Sequence, residues 1–310
     1  MLPAKRFPCC IMATCCVPWS DTWQFEEGIF RDHVQLILRH GTKYVYIFGT
    51  AGEGHAVSEG QFDRIADVFA DEMRQGKAEP MVGVIHLSLQ TIQERIRRLR
   101  DRGITFFQIS LPAWAALNDR ELFTFFAETC GRFPDCRFLH YNLLRTKRLV
   151  TPAEYGRLAA EFPNLVATKN STDAALRIAG LLESAPQLQH FITETGFAHG
   201  SMLGECGLLV SVASINWRRA RLLFDAARRR DLDALGPLLR ENQAITDAVL
   251  ACVQGEAHID GAFDKIFSKL HDPRFPLRLL PPFVATTDEQ FASFRRFLTE
   301  RYPAWLPDDA

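Results

Sequence analysis

Short apolar runs rich in β-branched residues alternate along this chain with longer segments whose apolar residues repeat every three or four positions. The first run, residues 11–17, is followed by a segment in which Phe30, Val34 and Ile37 share one helical face before Gly41. Runs of the first kind predict buried strands, and segments of the second kind predict amphipathic helices. The alternation recurs, with further strands predicted at 44–48, 81–85, 104–109, 136–141, 165–169, 188–192 and 208–212. Eight such units predict a (β/α)8 TIM barrel, because parallel strands need helical crossovers and eight of them close the sheet.

Four of the predicted helices begin at a capping motif, in which a short polar residue precedes a glutamate or glutamine by three positions. The pairs are Ser58 with Gln61, Asn118 with Glu121, Thr151 with Glu154, and Thr287 with Gln290. Such pairs satisfy backbone N–H groups that the first turn of a helix leaves open. They therefore predict where these helices start.

The alternation stops near residue 230, and only helical periodicity follows. Apolar positions predict one helix around Leu235–Ile245, another over Phe263–Leu270 and a third after Thr287. Residues 273–282 contain four prolines and predict an extended connector. We expect a barrel over residues 1–230 and a C-terminal helical extension over residues 231–310 packed on it. A separate C-terminal domain is the alternative.

Composition excludes several classes of partner. The 310 residues are 47% hydrophobic and 24% charged, which suits a large core, and the net charge of −1 gives no reason to expect nucleic acid. No run approaches the roughly 18 apolar residues of a membrane span. Eight cysteines without a signal peptide are expected to be reduced, and Cys9-Cys10 with Cys15-Cys16 matches no zinc spacing. We therefore expect a cytoplasmic protein with no metal site.

Lys169 ends the sixth predicted strand and is the first candidate for chemistry. Burial disfavours an ammonium, so such a lysine either becomes a neutral nucleophile or extends its tip to solvent, and this stretch alone leaves both open. In a TIM barrel the active site lies at the C-terminal ends of the strands, where Thr50, Tyr141 and Lys169 are predicted to meet. A neutral lysine amine forms a Schiff base with a ketone or aldehyde, and a phenol can carry the proton that this step needs. Backbone N–H groups at Thr50-Ala51 would suit a carboxylate.

These residues resemble those of the dihydrodipicolinate synthase and N-acetylneuraminate lyase family. The resemblance rests on Gly49-Thr50-Ala51-Gly52-Glu53, Tyr141-Asn142, Lys169 placed 28 residues after Tyr141, and Arg274-Phe275-Pro276-Leu277, and it covers about residues 10–300. It implies a class I aldolase that needs no cofactor or metal and binds pyruvate or another 2-oxo acid covalently. By position, Lys169 is the Schiff-base residue, Tyr141 the proton shuttle and Thr50 the relay hydroxyl. The family also implies a homo-oligomer, a tetramer or a dimer.

The sequence departs from the family pattern around the implied substrate. Ala51 stands where the family usually has a second threonine, which leaves only a backbone donor and weakens carboxylate binding by about 1.5–3 kcal/mol. Trp114 replaces a tyrosine that completes the relay from a neighbouring subunit, and an indole cannot shuttle a proton as a phenol does. Arg145 is expected to receive a second carboxylate, with a solvated loop as the alternative. Leu209 is expected to offer its backbone carbonyl to the substrate.

Several other polar residues lie near the predicted strand ends. His86 ends the third predicted strand and could be either an acid–base group or a histidine on the rim. His140 precedes Tyr141 and must point toward the helices, since neighbouring strand residues face opposite sides. We expect His55 to be structural and Glu53 to be a hydrogen-bond acceptor.

Two hypotheses for function follow. The first is a Schiff-base-forming lyase, aldolase or dehydratase that acts on pyruvate or another small 2-oxo acid through Lys169. The second is a catalytically impaired member of the family that binds a keto acid as a sensor or structural protein, as Ala51 and Trp114 suggest.

Overall fold

Eight parallel strands follow one another in chain order around a closed barrel. The computed structural model describes residues 4–253 and 257–308. The strands are β1 (Ile11–Thr14), β2 (Tyr44–Ile47), β3 (Met81–Gly83), β4 (Phe106–Ile109), β5 (Arg137–Asn142), β6 (Leu165–Asn170), β7 (Gln189–Ile192) and β8 (Gly207–Leu209). The predicted (β/α)8 barrel is confirmed.

Eleven α-helices are found in the described part of the chain. They are α1 (Glu27–Leu36), α2 (Glu59–Gln75), α3 (Leu89–Arg100), α4 (Asp119–Phe126), α5 (Pro152–Glu161), α6 (Ala175–Ser184), α7 (Glu194–Leu203), α8 (Trp217–Arg229), α9 (Leu232–Cys252), α10 (Asp260–His271) and α11 (Asp288–Arg301). The last three include the helices predicted after residue 230. Short π-helical turns continue α1 over Ile37–Gly41 and α4 over Ala127–Gly131.

The chain forms two compact units, each assembled from separate stretches of sequence. The first comprises Met1–Met12 and Pro80–Leu209, and it holds β3 to β8 with α3 to α7. The second comprises Ala13–Glu79 and Val210–Ala310, and it holds β2 with α1, α2 and α8 to α11. The predicted division between a barrel and an extension at residue 230 stays a prediction.

The strands of the first unit are buried on both faces, as expected for parallel strands covered by helices. All six residues of β6 and all four of β4 and β7 are buried. Most observed strands are shorter than the predicted ones, because an apolar run can extend beyond the residues that pair in the sheet, whereas β5 has the predicted length and β6 is one residue longer. The run predicted at 81–85, for example, is a strand only over Met81–Gly83.

Helix α7 is the one barrel helix that no periodic pattern indicated. A β-carbon added at Gly196 would lie 2.0 Å from the Thr172 carbonyl oxygen, and one at Gly200 would lie 2.7 Å from the Cys206 Sγ. The helix therefore approaches its neighbours through glycines. Glycines have no apolar side chain, so a helix face packed through glycines shows no apolar periodicity in the sequence.

The four capping motifs are confirmed. Ser58, Asn118, Thr151 and Thr287 each accept a backbone N–H bond from the residue three positions later, and that residue's side chain accepts the N–H of the cap. These motifs begin α2, α4, α5 and α11. Local side-chain chemistry thus places the starts of these helices.

Replacing Thr151 by alanine should lower the free energy of unfolding by about 1 kcal/mol. The Thr151 side chain accepts the Glu154 N–H at 3.3 Å, and alanine leaves that donor without its partner. The measurement is urea unfolding followed by circular dichroism. Thr299→Ala is the matched control, because Thr299 lies inside α11 and its hydroxyl donates to the Arg295 carbonyl. Equal losses in the two variants would contradict the capping role.

Candidate functional site

Lys169 and Tyr141 face each other across two neighbouring strands of the first unit. The two residues are direct partners in the β5–β6 ladder, and they are 5% and 2% exposed. The Lys169 Nζ lies 3.7 Å from the centre of the Tyr141 ring. A buried amine thus rests on the face of a phenol, where the electron-rich ring attracts its positive charge.

A β-bulge sets this pairing. Phe138 pairs with Leu165, but the next partner of β5, Leu139, pairs with Ala167, so β6 carries one extra residue at Val166. If Val166 were paired in a regular ladder, Leu139 would pair with Val166 and Tyr141 with Thr168 in place of Lys169. The bulge therefore brings Lys169 and Tyr141 to the same face of the sheet.

Asn164 fixes the entry to β6 just before this bulge. Its side-chain amide donates to the carbonyls of Cys130, Phe133 and Cys136 at 2.9, 3.0 and 3.0 Å. The Asn164 backbone carbonyl accepts the Phe138 N–H at 2.9 Å. One asparagine thus ties the start of β6 to the segment that leads into β5.

A second set of polar residues lies on the outer face of the same strands. His140 is fully buried, and its Nδ1 lies 2.7 Å from the Tyr155 hydroxyl of α5, which confirms that it points toward the helices. Burial lowers the pKa of His140 to about 3 and raises the pKa of Tyr155. Asn142, Thr168, Asn170 and His190 form a further hydrogen-bonded chain there. Sequence reasoning missed this chain, because amide and hydroxyl pairs across strands leave no periodic signal.

In the second unit, Glu53 holds the glycine-rich turn after β2. Its Oε1 accepts the Trp19 indole N–H at 2.8 Å and the Lys265 ammonium at 2.5 Å. Its Oε2 accepts the Leu280 N–H at 2.7 Å. The prediction that Glu53 is a hydrogen-bond acceptor is confirmed. Lys265 was missed, because a lysine on a predicted helix is ordinarily solvent-exposed.

Lys265 is fully buried in this position, with its second hydrogen bond to the Arg278 carbonyl. Burial lowers the pKa of Lys265, and the charge of Glu53 opposes that shift. Removing either partner would leave the other charged and unpaired in the core, which is strongly destabilising. This ion pair therefore fixes the turn to α10.

Thr50 and Ala51 occupy the turn that Glu53 fixes. They are 5% and 4% exposed, and the Thr50 carbonyl accepts the Glu53 N–H at 3.1 Å. Ala51 packs in an apolar cluster with Cys16, Phe275 and Ile29. Among the described residues, no hydrogen-bond partner is found for the N–H groups of Thr50 and Ala51. A ligand contact at Ala51 would therefore use its backbone N–H.

The remaining predicted residues lie in the first unit with Lys169. Leu209 is buried and ends β8 opposite Met12. Arg145 is exposed in a short 3-10 turn, and Trp114 is 80% exposed. The Trp114 carbonyl accepts the Lys147 ammonium at 2.9 Å. The substrate contacts assigned to Arg145, Leu209 and Trp114 stay predictions.

His86 and His55 both have local partners. His86 is partly exposed, and its Nδ1 accepts the Ser88 N–H at 3.0 Å just before α3. A bond of this kind to the neighbouring backbone is expected of a histidine on the rim of the barrel. The His55 ring stacks edge-on against Phe283 with 5.0 Å between ring centres, as a structural histidine would.

Three further features bear on function: the cysteines, groups of metal-binding side chains, and helices that could span a membrane. All eight cysteines are free in the structure. In residues 4–253 and 257–308 no group of three or more histidine, cysteine or acidic side chains could hold a metal ion. Nor, over the same residues, is any helix long and apolar enough to cross a membrane.

Comparison with known proteins shows the family of the chain. A model of the dihydrodipicolinate synthetase family matches residues 8–250. The chain belongs to this family. Proteins of the family are Schiff-base aldolases that use pyruvate.

The similarity to individual members of the dihydrodipicolinate synthetase family is low in identity and broad in extent. A 4-hydroxy-tetrahydrodipicolinate synthase from Thermus thermophilus is 26% identical over 233 residues, covering 72% of this chain and 76% of its own. An N-acetylneuraminate lyase from Rattus norvegicus is 21% identical over 240 residues, 74% of each chain. The structure of Proteus mirabilis N-acetylneuraminate lyase superposes with a TM-score of 0.81 at 15% identity, over 96% of this chain and 99% of that one. This last likeness concerns the fold.

His140 should make the stability of this family member sensitive to acid. Its pKa is about 3 in the folded chain and about 6.5 when unfolded, so the unfolded state binds a proton first as pH falls. The stability that comes from the neutral imidazole is complete above about pH 6.5 and is lost as pH falls toward the folded pKa, at up to about 1.4 kcal/mol per unit. His140→Gln should reduce this slope by about one proton, measured by urea unfolding at several pH values.

Tyr155→Phe is the matched control for that experiment. It removes the hydrogen bond to His140 and keeps the buried imidazole, so it should lower stability at every pH and retain the wild-type slope. The same slope for wild type and His140→Gln would contradict the assignment.

Proposed function

We propose that this protein is a Schiff-base-forming lyase of the class I aldolase type, which acts on pyruvate or another 2-oxo acid through Lys169. The reaction would make or break a carbon–carbon or a carbon–oxygen bond. The observation that supports it best is the buried Lys169 amine 3.7 Å from the centre of the Tyr141 ring. A buried lysine beside a proton carrier has the two groups that amine attack on a ketone requires.

The first steps follow from this pairing. The neutral Lys169 amine attacks C2 of the keto acid, and one proton passes from the attacking nitrogen to the former carbonyl oxygen to give a neutral carbinolamine. Tyr141 delivers a second proton to that hydroxyl, which leaves as water while nitrogen and C2 form a double bond. The protonated imine then accepts electrons from the neighbouring carbon, so no further electron acceptor is needed. Deprotonated Tyr141 recovers its proton at a later step.

The remaining assignments extend the proposal along the family pattern. Thr50 is the hydroxyl that passes protons onward from Tyr141. The Ala51 N–H and the Arg145 guanidinium bind substrate carboxylates, and Leu209 contributes its carbonyl. Ala51 lacks the hydroxyl usual at this position, so we expect weaker selection for pyruvate and wider tolerance of other 2-oxo acids. Trp114 stands where the family relay has a phenol, so the second proton route differs here.

Impaired catalysis is the second candidate, and the exposed Trp114 together with Ala51 favours it. In that case the protein would bind a keto acid as a sensor or structural component without turnover. A folded wild type that binds a 2-oxo acid in calorimetry but forms no covalent adduct would support this candidate. Covalent trapping therefore separates the two functions.

Borohydride reduction in the presence of pyruvate should trap an adduct on Lys169. The imine is reduced to a stable secondary amine, and peptide mass spectrometry locates it. Lys169→Met should abolish trapping, and Tyr141→Phe should slow it by about 100-fold, because general acid–base groups contribute effects of this size. Lys43→Met, at an exposed lysine, is the control and should trap as wild type does.

Two outcomes would overturn the assignment. One is an undiminished adduct in Lys169→Met. The other is no adduct in wild type with pyruvate or any of a panel of 2-oxo acids.

The proposal includes self-association into a dimer or tetramer. Trp114 and Leu144 are 80% and 78% exposed and lie in segments joined by the bond from Lys147 to the Trp114 carbonyl. Large exposed apolar side chains of this kind are typical of contact surfaces.

Trp114→Glu should therefore shift the protein toward smaller species in sedimentation velocity. A buried contact that gains a carboxylate is weakened by desolvation of the charge. Leu232→Glu, at an exposed leucine at the start of α9, is the control and should sediment as wild type does. An unchanged distribution for Trp114→Glu would remove this tryptophan from the contact.

A cytoplasmic location completes the proposal. All eight cysteines are free thiols, and seven of them have a pKa raised by burial. Free thiols persist in a reducing compartment.

A further inference from the structure

Four buried polar residues form one hydrogen-bonded chain across β5, β6 and β7. The Asn142 amide donates to the Asn170 Oδ1 at 3.0 Å, and the Asn170 amide donates to the Thr168 Oγ1 at 2.8 Å. The Thr168 Oγ1 lies 2.7 Å from the His190 Nδ1, whose Nε2 lies 3.1 Å from the Ala185 carbonyl oxygen. Each of the four side chains is at most 3% exposed. All belong to the first compact unit.

The direction of every bond in the chain can be assigned. A carbonyl can only accept, so the His190 Nε2 carries the proton, and the neutral imidazole must accept at Nδ1. Burial lowers the pKa of His190 to about 3, which keeps the ring neutral. The Thr168 hydroxyl therefore donates to His190 and accepts from Asn170. No donor meets a donor anywhere along the chain.

The far end of the chain is fixed as well. The Asn142 Oδ1 accepts the Val150 N–H at 2.9 Å, and its amide nitrogen donates to the Val150 carbonyl at 3.0 Å. This pair of backbone bonds determines which way the Asn142 amide is turned. Its remaining N–H is thereby directed to Asn170.

The hydrogen-bonded chain of side chains follows the residue pairing of the strands around Lys169, the proposed nucleophile. Asn142 and Asn170 are direct partners in the β5–β6 ladder, and Thr168 and His190 are direct partners in the β6–β7 ladder. Thr168 and Asn170 are the two neighbours of Lys169. Their side chains point to the opposite face, so each bond on the outer face fixes the backbone that carries Lys169. A slip of one residue would separate these partners and turn Lys169 away from Tyr141.

We propose that Asn170 is a positioning residue for Lys169: by joining Asn142 to Thr168, its side chain holds β6 in the register that places the lysine amine on Tyr141. This inference rests on the proposed Schiff-base function of Lys169. It adds that the outer face of β6 determines the reactivity of the inner one. Asn170 itself touches no substrate.

The test is the rate of pyruvate adduct formation under borohydride, measured over a range of pyruvate concentrations. Asn170→Leu keeps the branched side-chain shape, with a somewhat larger volume, and removes both hydrogen bonds. A misplaced nucleophile lowers the rate at saturating pyruvate by about 10- to 100-fold, while the half-saturating concentration changes little. Asn170→Asp keeps the acceptor for Asn142 and should restore part of the rate.

Two further variants separate positioning from general loss of stability. Thr168→Val breaks the next link of the chain and should lower the saturating rate in the same direction by a smaller factor. Asn242→Leu is the matched control, because Asn242 is 3% exposed on α9 in the other unit. It removes a buried amide and should leave the adduct rate at the wild-type value. Circular dichroism and thermal unfolding establish that each variant is folded.

The outcomes distinguish this inference from the function on which it rests. No adduct in wild type overturns both. A wild-type adduct together with wild-type saturating rates in folded Asn170→Leu and Thr168→Val overturns only the positioning role. If Asn170→Leu does not fold, the Thr168→Val rate decides in the same way, and an unchanged rate in that folded variant overturns the inference.

Discussion

The register between β5 and β6 is the constraint on which the proposed chemistry depends. One extra residue at Val166 lets Tyr141 pair with Lys169, and so the phenol and the amine share the inner face of two buried strands. Asn164 ties down the start of β6, and the amide pair of Asn142 and Asn170 ties down its end. Because side chains on a strand alternate, any shift of one residue would exchange the inner and outer faces. The placement of one reactive lysine is thus a property of the whole strand pair.

The two buried lysines illustrate how surroundings separate a structural role from a chemical one. Lys265 lies 2.5 Å from the Glu53 carboxylate, and this full opposite charge favours its ammonium form. Lys169 lies on an aromatic face, where the attraction for a positive charge is weaker than that of a carboxylate. A Schiff base forms through the neutral amine of a lysine, so a full carboxylate contact such as that of Lys265 works against this chemistry. The first lysine therefore suits an anchor for the glycine-rich turn, and the second suits attack on a carbonyl.

Three features could be predicted because short stretches of sequence determine each of them. They are the order of strands and helices, the starts of four helices, and the family that the candidate site residues resemble. Capping residues act within one turn, and apolar periodicity is local. The bulge at Val166 could not be predicted, since it depends on which residues of two strands meet. The bond between Lys265 and Glu53 joins residues 212 positions apart, and the sequence around neither residue indicates it. Helix α7 could not be predicted because glycines occupy closely packed positions on it and leave no apolar periodicity.

The role of Lys169 as a covalent nucleophile is the central claim, and a crystal structure obtained after soaking with pyruvate tests it most directly. The account predicts continuous electron density between the Lys169 Nζ and C2 of the keto acid, with the Tyr141 hydroxyl within hydrogen-bonding distance of the reacting centre. Pyruvate bound without a covalent link, or bound away from β5 and β6 while Lys169 remains unmodified, would contradict it.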